Sequence, residues 1–422
     1  LIAARDVGGM IRYARVARGW RQADLAKVVA CSASTISRLE TGRRAAVDLD
    51  TVRRVARAVQ LPSHILGALI DIPVSPVATV VTTTAPQAEE DPMRRRTLLS
   101  AVGLAIPAHL LIKLDDALAV LPASSSPPDL SRIATRLAHT RDRYDTGDLA
   151  RLIADLPDLL AVAHEAADHH DRPDAYVLAA SCYNLATVAL NKIGRHQASR
   201  ITADRATMLA KLSGSPVSVA TSARCLSIVL RHEGRGPVAD QVSLRAITLL
   251  ESTGLSQPDE AAAYVQMLCT GAYNSAQIGD RDRALEMIRE ASQAAAHLPV
   301  PPTQGHSISS AHVTGYEVSV HWSLGDAGAA LHAGRGLHPS QLPTPERRGR
   351  LHTDLARAWW QWGKPEQTVL ALLSACRESV PEVRDRPAIR SMAVQLIERH
   401  PKTSGVPELA TAIGYRPSQE DP

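Results

Sequence analysis

The sequence predicts an all-α protein: a head of short helices followed by a long body of stacked helix pairs. Three observations carry this. Apolar residues make up 45% of the 422, yet aromatics are only 3% and Phe is absent, so the core must be built from Ala, Leu and Val, side chains that favour close helix packing. Residues 5 to 70 show apolar stripes of helical period broken by tight turns. From about residue 129 onward, helical segments end again and again at a Gly.

Charge separates the head from the rest. Residues 1–70 hold 12 Lys and Arg against 5 Asp and Glu, whereas the remainder is mildly acidic, so the formal net charge of +4 conceals a basic head. A polyanion is the expected partner of such a head. The dominance of Arg over Lys points to a GC-rich genome more than to a site. Five scattered cysteines, odd in number and without a Cys-x-x-Cys, imply neither a disulfide framework nor zinc, and the chain reads as cytoplasmic and reduced. No apolar run approaches the roughly 18 residues of a membrane span. The chain begins at Leu1 without an initiating Met, which leaves room for residues upstream.

In the head, helices are expected at roughly 7–18, 22–29, 33–40, 49–59 and 63–69. Over 22–29, Leu25, Ala26 and Val29 share one side; over 33–40, Ile36 and Leu39 do. These stripes would pack the two helices together. Outward on the second lie Ala33, Ser34, Ser37 and Arg38, small side chains that let a backbone sit deep in a major groove, with an Arg able to grip guanine bidentately. Ser32 is placed to cap that helix.

This pattern resembles the XRE family, the phage-repressor and Cro type of helix-turn-helix regulator, over about residues 7 to 67. The resemblance implies a five-helix, lambda-repressor-like domain that binds double-stranded DNA. By it, Gln22 opens the first helix of the motif at a phosphate, Ala26 is the small residue at the helix crossing and Ile36 the buried anchor. Ala33, Ser34 and Arg38 face bases, while "LETG" with Arg43 and Arg44 follows the backbone. Arg21 departs from the family's Ser or Thr cap, and Ala30 stands where Gly is common, so a positive φ there would cost about 1 kcal/mol. Arg53, Arg54 and Arg57, on the following helix, read as a solvated face.

Residues 71–92, rich in Pro and Thr, have the composition of an extended linker. Next, "MRRRTLLSAVGLAIPAHLL" (93–111) resembles a twin-arginine export signal. Such signals act at an N-terminus and this one follows a basic head, so it reads as the amphipathic opening helix of a second domain, 93–422.

Across that domain the turns at Gly147, Gly194, Gly234, Gly279, Gly325 and Gly363 each join two helical segments. They resemble tetratricopeptide repeats, with "AYNSAQIGDRDRALEMIREA" the best copy through Ala272, Gly279, Asp280 and Ala284. The intervals exceed the roughly 34 residues of that repeat, so the match is degenerate. "HEAADHHD" (164–171) lacks the second His of the zinc-protease pattern and reads as a wet helix face. In "AWWQWG" (358–363), Trp359 and Trp362 are spaced to wedge the last helix pair together. No phosphate loop, nucleophile elbow or Cys/His pair is present, so no enzyme, cofactor or metal is expected.

A DNA reader coupled to a repeat scaffold is similar in layout to the peptide-pheromone receptor regulators of Gram-positive bacteria. The resemblance implies a body that takes a peptide, small ligand or protein effector, and a homodimer is expected because one recognition helix touches too few bases for useful specificity. Two alternatives stay open: a constitutive dimeric regulator with a purely structural body, and a DNA-tethered scaffold.

Overall fold

The computed structural model describes residues 11–12, 15–16, 18, 20–29, 31, 33–40, 55 and 58–59 in the head, then 106–121, 129–298 and 308–415. The chain separates into two compact units, 1–89 and 90–422. The expected linker at 71–92 lies outside the described residues.

In the head, α1 (Gln22–Val28) and α2 (Ala33–Glu40) pack through Leu25, Ala26, Val29 and Ile36, joined by Ile11, Val55 and Val59. These are the stripes seen in the sequence.

The body opens with α3 (Ala108–Ala119). A single helix over 93–111 is corrected here: Ile106 is a bend and Pro107, with ψ 135, stands outside the helix it precedes. Proline disfavours helical backbone in the residue before it, so a helix stops or starts there. Six helix pairs follow. They are α4 (Leu130–Thr146) with α5 (Leu149–His170), α6 (Pro173–Lys192) with α7 (His196–Ser213), and α8 (Pro216–His232) with α9 (Gly236–Glu251). Then come α10 (Pro258–Gln277) with α11 (Arg281–Ala296), α12 (Ser310–Ser323) with α13 (Ala327–Gly334), and α14 (Pro345–Gln361) with α15 (Pro365–Glu378). Three short helices close the chain: α16 (Val380–Arg384), α17 (Pro387–Arg399) and α18 (Val406–Ala412).

Each of the six glycines named from the sequence sits at the turn of one pair with a positive φ, between 69° and 85°. Three are followed by Asp148, Asp280 and Asp326, whose carboxylates accept from backbone N–H groups of the helix they begin. Such caps satisfy otherwise orphaned donors. In the best repeat copy, Ala272 and Ala284 are both fully buried where α10 meets α11.

The first helices of successive pairs stack on one another, and the stack turns back far enough for α4 to meet α14. A β-carbon on Gly147 would stand 2.8 Å from Ser379 Oγ, and one on Gly194 2.9 Å from Pro387 Cγ, so the first two turns press against α16 and α17. At this closure Lys192 Nζ donates to Glu382 Oε1 at 2.6 Å and Glu346 Oε1 at 3.1 Å, with all three side chains at most 7% exposed.

The tryptophan expectation is corrected. Trp359 and Trp362 stack on each other at 5.8 Å, but Trp362 is 53% exposed at the end of α14. Trp360 instead packs against the C-terminal core, because it continues the buried face of Ala356 by one helical turn.

Candidate nucleic-acid interface and the lumen of the repeat body

The head is organised by a charge pair. Arg15 Nε and Nη2 donate to Glu40 Oε1 and Oε2 at 2.5 and 2.8 Å, and Arg15 Nη1 donates to the Trp20 carbonyl at 2.6 Å. Gln22 Nε2 adds a bond to Glu40 Oε2 at 2.8 Å. Burial pushes the Glu40 carboxyl up, and the hydrogen bonds from Arg15 and Gln22 more than reverse it, leaving it below the ordinary range. The fork ties the helix before α1 to the end of α2 and so orients α2.

Sequence reading missed this pair, although a signal existed. Arg15 and Glu40 each follow a fully buried Ile by four residues, Ile11 and Ile36, so opposite charges occupy two inward stripes. Gln22, expected at a phosphate, spends one of its amide hydrogens on Glu40. Its second hydrogen and its carbonyl oxygen leave that expectation open.

The cap of α1 is also resolved. Arg21 offers no acceptor, but Asp24 Oδ2 accepts from the Arg21 backbone N–H at 2.8 Å, the return half of a capping box. Ala33, Ser34, Ser37 and Arg38 all lie within α2. With Ile36 turned to the core, the helical register puts positions 34 and 38 opposite it and position 37 to one side. Ser32, Arg43 and Arg44 lie outside the described residues, as do Ala30, Arg53, Arg54 and Arg57.

Residues 6–66 match the family profile described as a helix-turn-helix domain. The head is a helix-turn-helix domain. No curated protein matches the chain. Among solved structures, PlcR of Bacillus thuringiensis in complex with the peptide PapR7 and DNA is similar over 93% of this chain and 99% of that one, at 12% identity and a TM-score of 0.28. The chain thus joins a helix-turn-helix head to a tetratricopeptide-like helical body, the latter resting on the turns and packing described above.

Within the body the stacked first helices join charged and aromatic side chains to one another. Arg224 of α8 donates through Nη2 to the Tyr316 hydroxyl of α12 at 3.1 Å. Arg231, two turns along α8, donates to Asn274 Oδ1 at 2.7 Å and lies over the Tyr273 ring at 4.5 Å. Burial and the guanidiniums of Arg350 and Arg224 depress Arg231. Burial would raise the Tyr316 phenol, but Arg224 and Arg347 outweigh it and draw it down to about 8. Burial and the Arg347 charge lower His312 to about 4. These shifts report positive charge gathered where α8, α12 and α14 come together.

The stretch 164–171 ends α5, where His164 Nδ1 meets the Tyr183 hydroxyl at 3.2 Å. Among the described residues no group of three or more His, Cys, Asp or Glu stands close enough to hold a metal, and no helix is long and apolar enough to cross a membrane.

Proposed function

We propose that this protein is a homodimeric, sequence-specific transcription regulator of the cytoplasm, without enzymatic activity, whose repeat body senses a peptide, small ligand or protein partner. The carrying observation is α2: Ile36 and Glu40 anchor it from inside the head, while its register turns positions 34 and 38 away from that anchor. A helix so held can enter a major groove, with Ser34, Ser37 and Arg38 toward base edges and Gln22, Arg43 and Arg44 toward phosphates.

Selection from randomised duplexes tests the reading. Arg38→Ala should lose about 1–3 kcal/mol of discrimination at one base position. Arg43→Ala should weaken all sequences alike and lower the salt slope by about one unit. An unchanged preference in the first variant removes Arg38 from readout. Dimerisation would place two heads on half-sites about 34 Å apart, and sedimentation on a selected duplex checks it. Sensing requires that effector and operator shift each other's affinity by equal factors.

A further inference from the structure

Three carboxylates of the body are each shared between two cations. Glu346 is shared by Lys192 at 3.1 Å and Arg347 at 3.6 Å, Glu382 by Lys192 at 2.6 Å and Arg386 at 2.9 Å, and Asp354 by Arg357 at 3.4 Å and Arg350 at 3.8 Å. Asp354 also accepts from the Ser319 hydroxyl at 2.6 Å. One of these carboxylates is therefore held by two guanidiniums and a hydroxyl.

Donors of the same kind stand at Arg224 with the Tyr316 hydroxyl, and at Arg231, but without an acid. Among the described residues neither arginine has a carboxylate within ion-pair distance, and their partners are a phenol and an amide. Arg224 Nε is buried and accepted by nothing among the described residues. Buried guanidinium is costly unless paired, and carboxylate is the planar acceptor its fork matches. Both arginines leave the same face of α8, seven residues apart, toward α12 and α10, so their stems stand about 10 Å apart along its axis.

We propose that the lumen is a binding site for an acidic ligand, whose two carboxylates pair with Arg224 and Arg231. A polyproline II peptide turns once every three residues and rises about 3.1 Å per residue, so acids at i and i+3 share one face about 9 Å apart, close to the spacing of the two arginines. Tyr316 supplies the hydroxyl at the first carboxylate, as Ser319 does for Asp354. Tyr273, stacked under Arg231, holds the second guanidinium in place for an in-plane approach. The inference rests on the sensing reading for its purpose, and not for its chemistry.

The test is calorimetry on the full chain without DNA, at fixed ionic strength. Acetyl-Glu-Ala-Ala-Glu-amide, its Gln counterpart and inorganic phosphate serve as probes. Saturable binding of the acidic peptide is expected, with little for the Gln peptide. Arg224→Gln and Arg231→Gln should each weaken it at least about tenfold, the worth of a charge-assisted hydrogen bond. Far-UV circular dichroism and a cooperative melt of each variant without ligand, both expected to show the parent's fold, separate lost binding from lost folding. Absence of saturable acidic-peptide binding, or binding unaffected by both variants, overturns the proposal. Equal binding of phosphate, lost in the same variants, overturns the carboxylate assignment. Acidic-peptide binding that leaves operator affinity unchanged keeps this site and removes sensing by it; an effector that shifts operator affinity equally in parent and variants keeps sensing and removes this site from it.

Discussion

The helix-turn-helix head and the repeat body both bury charge, and they settle the account differently. In the head, Arg15 meets Glu40 through two hydrogen bonds, with Gln22 completing the carboxylate. Nothing is left over, so the pair acts as a brace. In the body, three acids are each divided between two cations, while among the described residues Arg224 and Arg231 meet a phenol and an amide and no acid. A closed pair orients a helix; an open one waits for an acceptor. The contrast separates charge that shapes the fold from charge available to a ligand.

The comparison breaks most visibly at Lys192. Lys192→Met leaves Glu346 and Glu382 buried near each other without their shared cation, and should cost about 3–5 kcal/mol in denaturant unfolding. A loss under 1 kcal/mol would mean that the closure between α6 and α14 carries no load.

Next comes the brace of the head. Glu40→Gln strands the Arg15 charge and should cost about 3 kcal/mol, the low end of the same range, because the head is small and water is near. Hydrogen exchange over residues 22–40 checks it, since faster exchange there with the body unchanged is the expected pattern.

A smaller effect sharpens the account of how the body closes. Gly194→Ala and Gly234→Ala both strain a positive φ, at about 1 kcal/mol each. Only the first pushes a β-carbon to 2.9 Å from Pro387, whereas the second meets nothing within 4 Å. Melting should show the Gly194 variant losing more, about 2 kcal/mol. Equal losses would deny that the second turn presses on α17.

The smallest effect is spectroscopic. Tyr316, drawn down to about 8 in the folded chain against 10.0 as a free phenol, should give an early phenolate step when absorbance is followed at alkaline pH. Its folded value is the lower one, so the folded state releases the proton first and stability gained from Tyr316 grows as pH rises from about 8 to 10. Tyr316→Phe should abolish both the early titration and that gain.

How much of this was legible varies by region. Leu25, Ala26 and Ile36 announced the packing of α1 on α2 because helical period alone selects the inward side. The six glycines announced the turns, since a helix that must reverse within a few residues needs a left-handed residue at its end. The tryptophans misled: spacing showed that Trp359 and Trp362 share a face, but not that this face ends in solvent while Trp360 enters the core.

By itself, then, the sequence determined the all-helical class, the helix-turn-helix stripes, the basic head and the six turns. Each of these is a local property, set by side-chain period, backbone conformation or summed charge within a few residues. Only the tertiary structure decided that Arg15 meets Glu40, that Lys192 joins acids 154 and 190 residues away, and that Arg224 and Arg231 are left unmatched. Those pairings depend on the angle at which each helix pair rotates on the last. That angle accumulates over the whole stack from many small packing contacts, and no single segment of the chain encodes it.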